Sequence, residues 1–242
     1  GVAANERHQR ASAALTKATL INSAVDLADE NNDGADDNDF PIPNVHEGWG
    51  RVDLANATDG SHEYVEEATG ISTSGSASTQ YSVANAGDPF KVTLVWSDFP
   101  STETAGQNLV NDLDLVVTAP GGAQYRGNVF SGGWSQIGGS ADRVNNVENV
   151  YVQSAASGTW TVDVVGFNVP NGPQPYALVV DGTFGAADNP PSVTITNPAD
   201  GATVSGTVGV TATASDDNGV TQVEFFVDGN SIGIDTSAPY ES

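Results

Sequence analysis

Apolar residues return at two different periods along this chain, and the change of period divides it. Near the start, Ala14, Leu15, Ala18, Ile21 and Val25 recur every three or four positions. That spacing puts side chains on one face of a helix, and it predicts a helix over residues 5–27. Pro41 and Pro43 exclude a helical continuation.

From residue 60 the period falls to two. The runs 79–83, 91–96, 113–118, 147–152, 159–165 and 175–180 are rich in β-branched and aromatic residues. Trp160, Val162 and Val164 fall on one face with Asp163 on the other, and Val92, Leu94 and Trp96 share a face in the same way. Pro120-Gly121-Gly122, Ser131-Gly132-Gly133 and Asn171-Gly172-Pro173 punctuate the runs. Short strands so separated predict a sandwich or jelly roll.

A second β pattern follows a linker at residues 185–190. Its runs are 193–196, 208–214, 220–228 and 231–235, and Asp228-Gly229-Asn230 is a hairpin signal. A complete sandwich of this kind takes ~7 strands over ~100 residues. This segment is therefore expected to be a partial module with an exposed apolar face or an unpaired edge. The predicted fold class is mainly β: an N-terminal helix remnant, a jelly-roll β-sandwich, then a partial immunoglobulin-like β-sandwich.

Charge changes the picture next. Seven Lys and Arg stand against 31 Asp and Glu, a formal net charge of −24. Such a field disfavours nucleic acid and anionic membranes. It suits hard cations, and calcium is the expected cofactor. There is no Cys, hence no disulfide framework and no thiolate metal site. No apolar run is long enough to span a bilayer.

Two groups of oxygen ligands are candidates for calcium. On a strand, Asp112 and Asp114 point the same way, about 6.5–7 Å apart at Cα, while Leu113, Leu115 and Val117 face a core. Asp98, at the end of an apolar strand, and Glu148 are added to that pair. The alternative for the pair is solvation or ion pairing with Arg143 or Arg126. The second group is Asp29, Asn31 and Asp33, which with Gly34 match the opening of an EF-hand loop. The match then fails, because Phe40 stands where that loop needs a bidentate Glu.

Catalytic chemistry is harder to find. His8, His46 and His62 are the only histidines, and none lies in a nucleophile–base context. Trp96 reads as core and Trp49 as packing in a Gly-Trp-Gly turn. Trp134, in a Gly-rich loop, is the aromatic placed for contact with a partner.

Several stretches, in order, resemble subtilisin-like serine proteases. Lys17-Ala-Thr-Leu-Ile-Asn-Ser-Ala24 and Gly48-Trp-Gly-Arg-Val-Asp-Leu54 resemble the last part of the catalytic domain. Val92–Asp98, Leu109–Leu115, Asn145–Glu148 and Val169–Pro175 resemble the jelly-roll domain that follows it in some members. Pro191-Ser-Val-Thr-Ile-Thr-Asn-Pro198 onward resembles bacterial immunoglobulin-like repeats. The resemblance implies residues 1–58 as the end of a catalytic domain, 59–184 as a jelly roll and 191–242 as a partial immunoglobulin-like domain. It also implies that the catalytic Asp, His and Ser lie upstream, since residues 1–10 contain no Ser or Thr.

The expectation is thus an extracellular, secreted fragment of a serine endopeptidase that stabilises rather than catalyses. Its partners would be its own catalytic domain and, through the parent enzyme, protein substrates. The competing expectation is a non-enzymatic module touching a cell surface or polysaccharide. On the first reading the helix has lost the sheet it would cover, so residues 5–54 should be poorly held.

Overall fold

A computed structural model describes residues 11–27, 40–185, 191–216 and 219–242. The chain divides into two compact units, Gly1–Ala186 and Ala187–Ser242.

The first unit is built from two antiparallel sheets. One has four strands in the order β1 (His62–Ile71), β9 (Gln174–Asp181), β3 (Phe90–Val95), β7 (Val147–Val152). The other has five, in the order β2 (Ser76–Val83), β8 (Gly158–Asn168), β4 (Asp112–Thr118), β5 (Gln124–Ser131), β6 (Trp134–Ile137). The period-two alternation buries one face of each sheet against the other. Val92, Leu94, Trp96, Val150 and Leu178 from one side meet Leu113, Leu115, Val117, Trp160, Val162 and Val164 from the other, each at most 2% exposed. Each such side chain contributes about 1.5–3 kcal/mol by leaving water. The indole N–H groups are also satisfied: Trp96 donates to Asn111 O and Trp160 to Ala156 O, both at 2.8 Å.

Three strands were not legible in the pattern. β1 reads His-Glu-Tyr-Val-Glu-Glu-Ala-Thr-Gly-Ile, too acidic to look like a strand, and it lies at a sheet edge beside β9. There one side of the strand faces solvent, so glutamates are tolerated. β5 and β6 have mixed, half-buried patterns; β6 lies at the edge of its sheet, whereas β5 lies between β4 and β6.

Helix α1 (Ala13–Asn22) starts where Ser12 caps it, with Ser12 Oγ accepting from Leu15 N at 3.0 Å. It ends at Asn22, short of the expected residue 27, because Val25 leaves to pair with Arg51. The expectation of a helix without a sheet is corrected here. Ala14 and Ala18 pack on Val95, Val147, Ala177 and Val179, the outward-facing residues of the four-stranded sheet. Small alanines permit the close approach. Buried Asn22 then fixes it, its Nδ2 donating to Thr93 Oγ1 at 3.0 Å and to Val179 O at 3.3 Å.

The Gly48–Arg51 turn seats on the same end of the helix. Val25 and Arg51 exchange backbone hydrogen bonds of 3.0 and 2.8 Å. Gly50, at φ +97°, is required there, because a Cβ would collide with Val25 O. Trp49 packs edge-on against Phe130 and Tyr151.

The second unit has a three-stranded sheet, β10 (Ser192–Asn197), β11 (Thr211–Ser215), β14 (Tyr240–Glu241), and a hairpin of β12 (Val223–Val227) with β13 (Asn230–Asp235). The predicted turn is present: Asp228 and Gly229 have φ of +50° and +80°, as a two-residue type I′ loop demands. Among the described residues its buried cluster is Ala212, Phe225 and Tyr240, and the expected exposed apolar residues are there, including Val193, Ile195, Phe226 and Ile234.

Candidate functional site

A buried polar cluster lies where the pairing of β4 with β5 ends. β5 pairs with β4 only over Val116–Thr118, which leaves the Leu115 N–H without a strand partner on that side. Glu148 on β7 fills the gap, its Oε2 accepting from Leu115 N at 2.7 Å. Gly127 makes room, since a Cβ there would collide with Glu148 Oε2. Glu148 is 1% exposed and its Oε1 has no hydrogen-bond partner. Burial pushes its pKa up to about 9; the Leu115 hydrogen bond opposes the shift and the nearby Asp114, Asp142 and Asp112 add to it. Glu148 is therefore a neutral acid at neutral pH.

Asp112 and Asp114 share the outward face of β4, as the alternation required, with Leu113 and Leu115 buried behind them. Arg143 stands between the two carboxylates. Its Nη1 donates to Asp112 Oδ1 at 3.2 Å and to Asp114 Oδ1, and its Nη2 donates to Asp114 Oδ2 at 3.1 Å. The guanidinium also stacks 3.6 Å from the ring centroid of Phe167. The hydrogen bond and charge of Asp114 raise the Arg143 pKa against burial. Asp112 moves the other way from a simple ion pair. Burial raises it to about 6, Arg143 only partly offsets this, and Asp114 adds repulsion.

The loop carrying Arg143 is held by Asp142. Its Oδ1 accepts from Val144 N at 2.8 Å and Asn145 N at 3.1 Å, and its Oδ2 accepts from Asn128 Nδ2 and Asn145 Nδ2. Burial alone would raise this carboxyl, but these donors outweigh it and its pKa is lowered. Asp98 is committed elsewhere, accepting from Phe99 N, Val110 N and Asn111 N at 2.7–2.8 Å. It braces the connection into β4.

The four candidate ligands thus do not converge on one point. Among the described residues, no three His, Cys, Asp or Glu side chains gather as metal ligands. A calcium ion takes six to eight oxygens. With Arg143 between the aspartates and Asp98 turned to backbone N–H groups, these residues as arranged do not fit one. Asp29, Asn31 and Asp33 lie outside the described residues.

No histidine is placed for catalysis among the described residues. His62 is buried beside Ser61 and Asp59, with Nδ1 3.2 Å from Ser61 Oγ and 3.7 Å from Asp59 Oδ1. A relay needs hydroxyl and carboxylate on opposite ring nitrogens. Here both meet Nδ1, and Nε2 is buried without a partner. His46 is exposed in its turn, 4.6 Å from the Phe40 ring, and His8 lies outside the described residues. Of the tryptophans, Trp96 is core, Trp49 is half-buried and Trp134 is half-buried at a pocket rim. Sequence reasoning missed Lys91, whose setting depends on strand register.

Residues 191–242 match the family model of the bacterial Ig domain. The chain is also similar to three Dictyostelium discoideum proteins named serine protease/ABC transporter B family proteins. It is 36% identical to tagB over 99 residues, 40% of this chain and 5% of that protein. It is 34% identical to tagD over 117 residues, 45% of this chain and 6% of that protein. With tagA the identity is 27% over 183 residues, 70% of this chain and 10% of that protein. The chain therefore spans a small part of the length of these relatives. A Bacillus licheniformis lipase in its propeptide form aligns over 51% of this chain and 22% of its own, at 10% identity and a TM-score of 0.30. A protein from Sulfurospirillum deleyianum aligns over 50% of this chain and 96% of its own, at 5% identity and a TM-score of 0.29. At these scores neither structure bears on function.

Proposed function

We propose that this chain is a non-catalytic, β-rich region of a protease-related protein, and that it stabilises a catalytic domain carried elsewhere on that protein. The observation that carries the reading is the 27% identity over 70% of the chain with a protein named a serine protease. The buried two-sheet core is compatible with a supporting role. The match of residues 191–242 to a bacterial Ig domain supports a spacer at that end. An extracellular site of action, and contact with protein substrates through the catalytic domain, belong to the same proposal.

The test is direct. The chain alone is incubated with a fluorophosphonate probe and a fluorogenic peptide mixture. No labelled serine and no turnover are expected; a labelled serine within this chain sinks the accessory reading.

Calcium belongs to the proposal through net charge, at oxygens other than the Asp112–Asp114 pair. An ion held only by the folded chain stabilises it by about 2.7 kcal/mol at 100-fold excess over Kd. Melting with calcium and with a chelator should differ, by the same amount in the wild type and in Asp112→Asn/Asp114→Asn. Equal melting temperatures with and without calcium overturn the calcium role. A difference lost in the variant returns the ion to the strand pair.

A further inference from the structure

The outer face of the four-stranded sheet carries a feature independent of the reading above. Strand register sets Lys91 of β3 between Tyr151 of β7 and Asp181 of β9. Past the end of α1, Val25, Asp26 and Ile42 on one side and Trp134 on the other enclose a pocket of about 240 Å³ over Lys91 and Tyr151. Lys91 Nζ lies 5.4 Å from the Tyr151 ring centroid.

The Lys91 ammonium belongs to a half-buried side chain that lines this pocket. Acidic residues outnumber basic ones 31 to 7, yet among the described residues no carboxylate lies within ion-pair distance of Nζ. Burial lowers the Lys91 pKa, and Asp181 across the strand pair only partly offsets this. An ammonium has three N–H donors and no acceptor, so a carboxylate entering the pocket gives it a charge-assisted hydrogen bond. Asp26, the other charged wall, is turned to the backbone, its Oδ2 accepting from Ile42 N at 3.3 Å.

We propose that this pocket binds a monocarboxylate carried on a single apolar or aromatic group. The carboxylate meets Lys91 Nζ, and the apolar body lies against Trp134, Tyr151 and Ile42. The volume is below the ~300–1,000 Å³ of pockets for larger ligands, so the occupant is about one side chain in size. Two sources share this chemistry: a free small acid, and the C-terminal residue of a peptide.

The test follows the indole N–H signals of the full chain by NMR, with the Trp134 signal assigned by Trp134→Phe. N-acetyl-leucine and its amide are titrated, then a tripeptide ending in leucine and its amide. The acids are expected to shift the Trp134 signal saturably and the amides at least about tenfold more weakly, as loss of a charged hydrogen bond requires. Lys91→Met should weaken the acids by a similar factor. Tighter binding of the tripeptide acid identifies a peptide C-terminus as the source, and equal binding identifies a free acid. Equal binding of acid and amide, no saturable shift, or full affinity in a folded Lys91→Met variant overturns the proposal. If Lys91→Met fails to fold, acylation of Lys91 in the wild type replaces it. The acid should slow that reaction and the amide should not; equal effects overturn the proposal.

Discussion

The two units use the same alternation of apolar and polar residues and reach different outcomes. In Trp160–Val164 every inward residue is at most 2% exposed, because a second sheet covers it. In Val223–Val227 the alternation is interrupted by Phe226 and by a register shift between Phe225 and Phe226, and Val227 is 51% and Phe226 58% exposed. Buried alternation contributes stability only in proportion to the area a facing element covers. The first unit has a nine-strand sandwich and a helix over one outer face; the second has five described strands in two small sheets. The lesson is that period two announces a strand, while the partner sheet decides whether that strand has a core.

The largest effect that would break this contrast is expected at Trp160. Trp160→Ala should destabilise the first unit by about 3–5 kcal/mol, read as loss of its amide protection in hydrogen exchange. A change under about 1 kcal/mol would mean that the inter-sheet core is not what holds this unit.

Glu148 comes next. A carboxyl with a folded pKa of about 9 keeps its proton in the folded state while the unfolded chain releases it near the usual value. The unfolded state then binds fewer protons between those values, so stability falls as pH rises from about 4.5 to about 9, by up to a few kcal/mol. Glu148→Gln should flatten urea-derived stability across that window and raise it at pH 8. A profile unchanged by the substitution would mean that Glu148 ionises in place.

Arg143 should matter less, because it is partly exposed. Arg143→Met leaves Asp112 and Asp114 without their shared donor and should cost about 1–3 kcal/mol at low salt. Adding Asp114→Asn should recover part of that loss. A gain on Arg143→Met in the presence of calcium would show that the ion takes the guanidinium's place.

The smallest effect is expected on the exposed face of the second unit. Phe226→Ser should change stability by no more than about 0.5 kcal/mol. A larger loss in thermal melts would show that this face is covered in solution, and would narrow the difference between the units.

Much of this was legible early because side-chain period is a local property. Leu113, Leu115 and Val117 had to face inward once Asp112 and Asp114 faced outward, and the Asp228-Gly229 turn followed from residues that accept positive φ. Strand β1 was hidden by its glutamates, which its position at a sheet edge tolerates. Arg143 was visible as a possible partner for the aspartates, but a calcium ion was equally compatible with the pair.

The sequence by itself determined the mainly β character, the turn at Asp228-Gly229, the inward faces of the strands and the acidic surplus. Only the tertiary structure decided that α1 covers a sheet in this chain, that Glu148 is a buried neutral acid, that Arg143 stands between the aspartates and that Lys91 lacks an ion-pair partner. The reason is physical. Periodicity and turn conformation depend on neighbours a few residues away, whereas charge pairing and desolvation depend on what chain topology brings within a few ångströms.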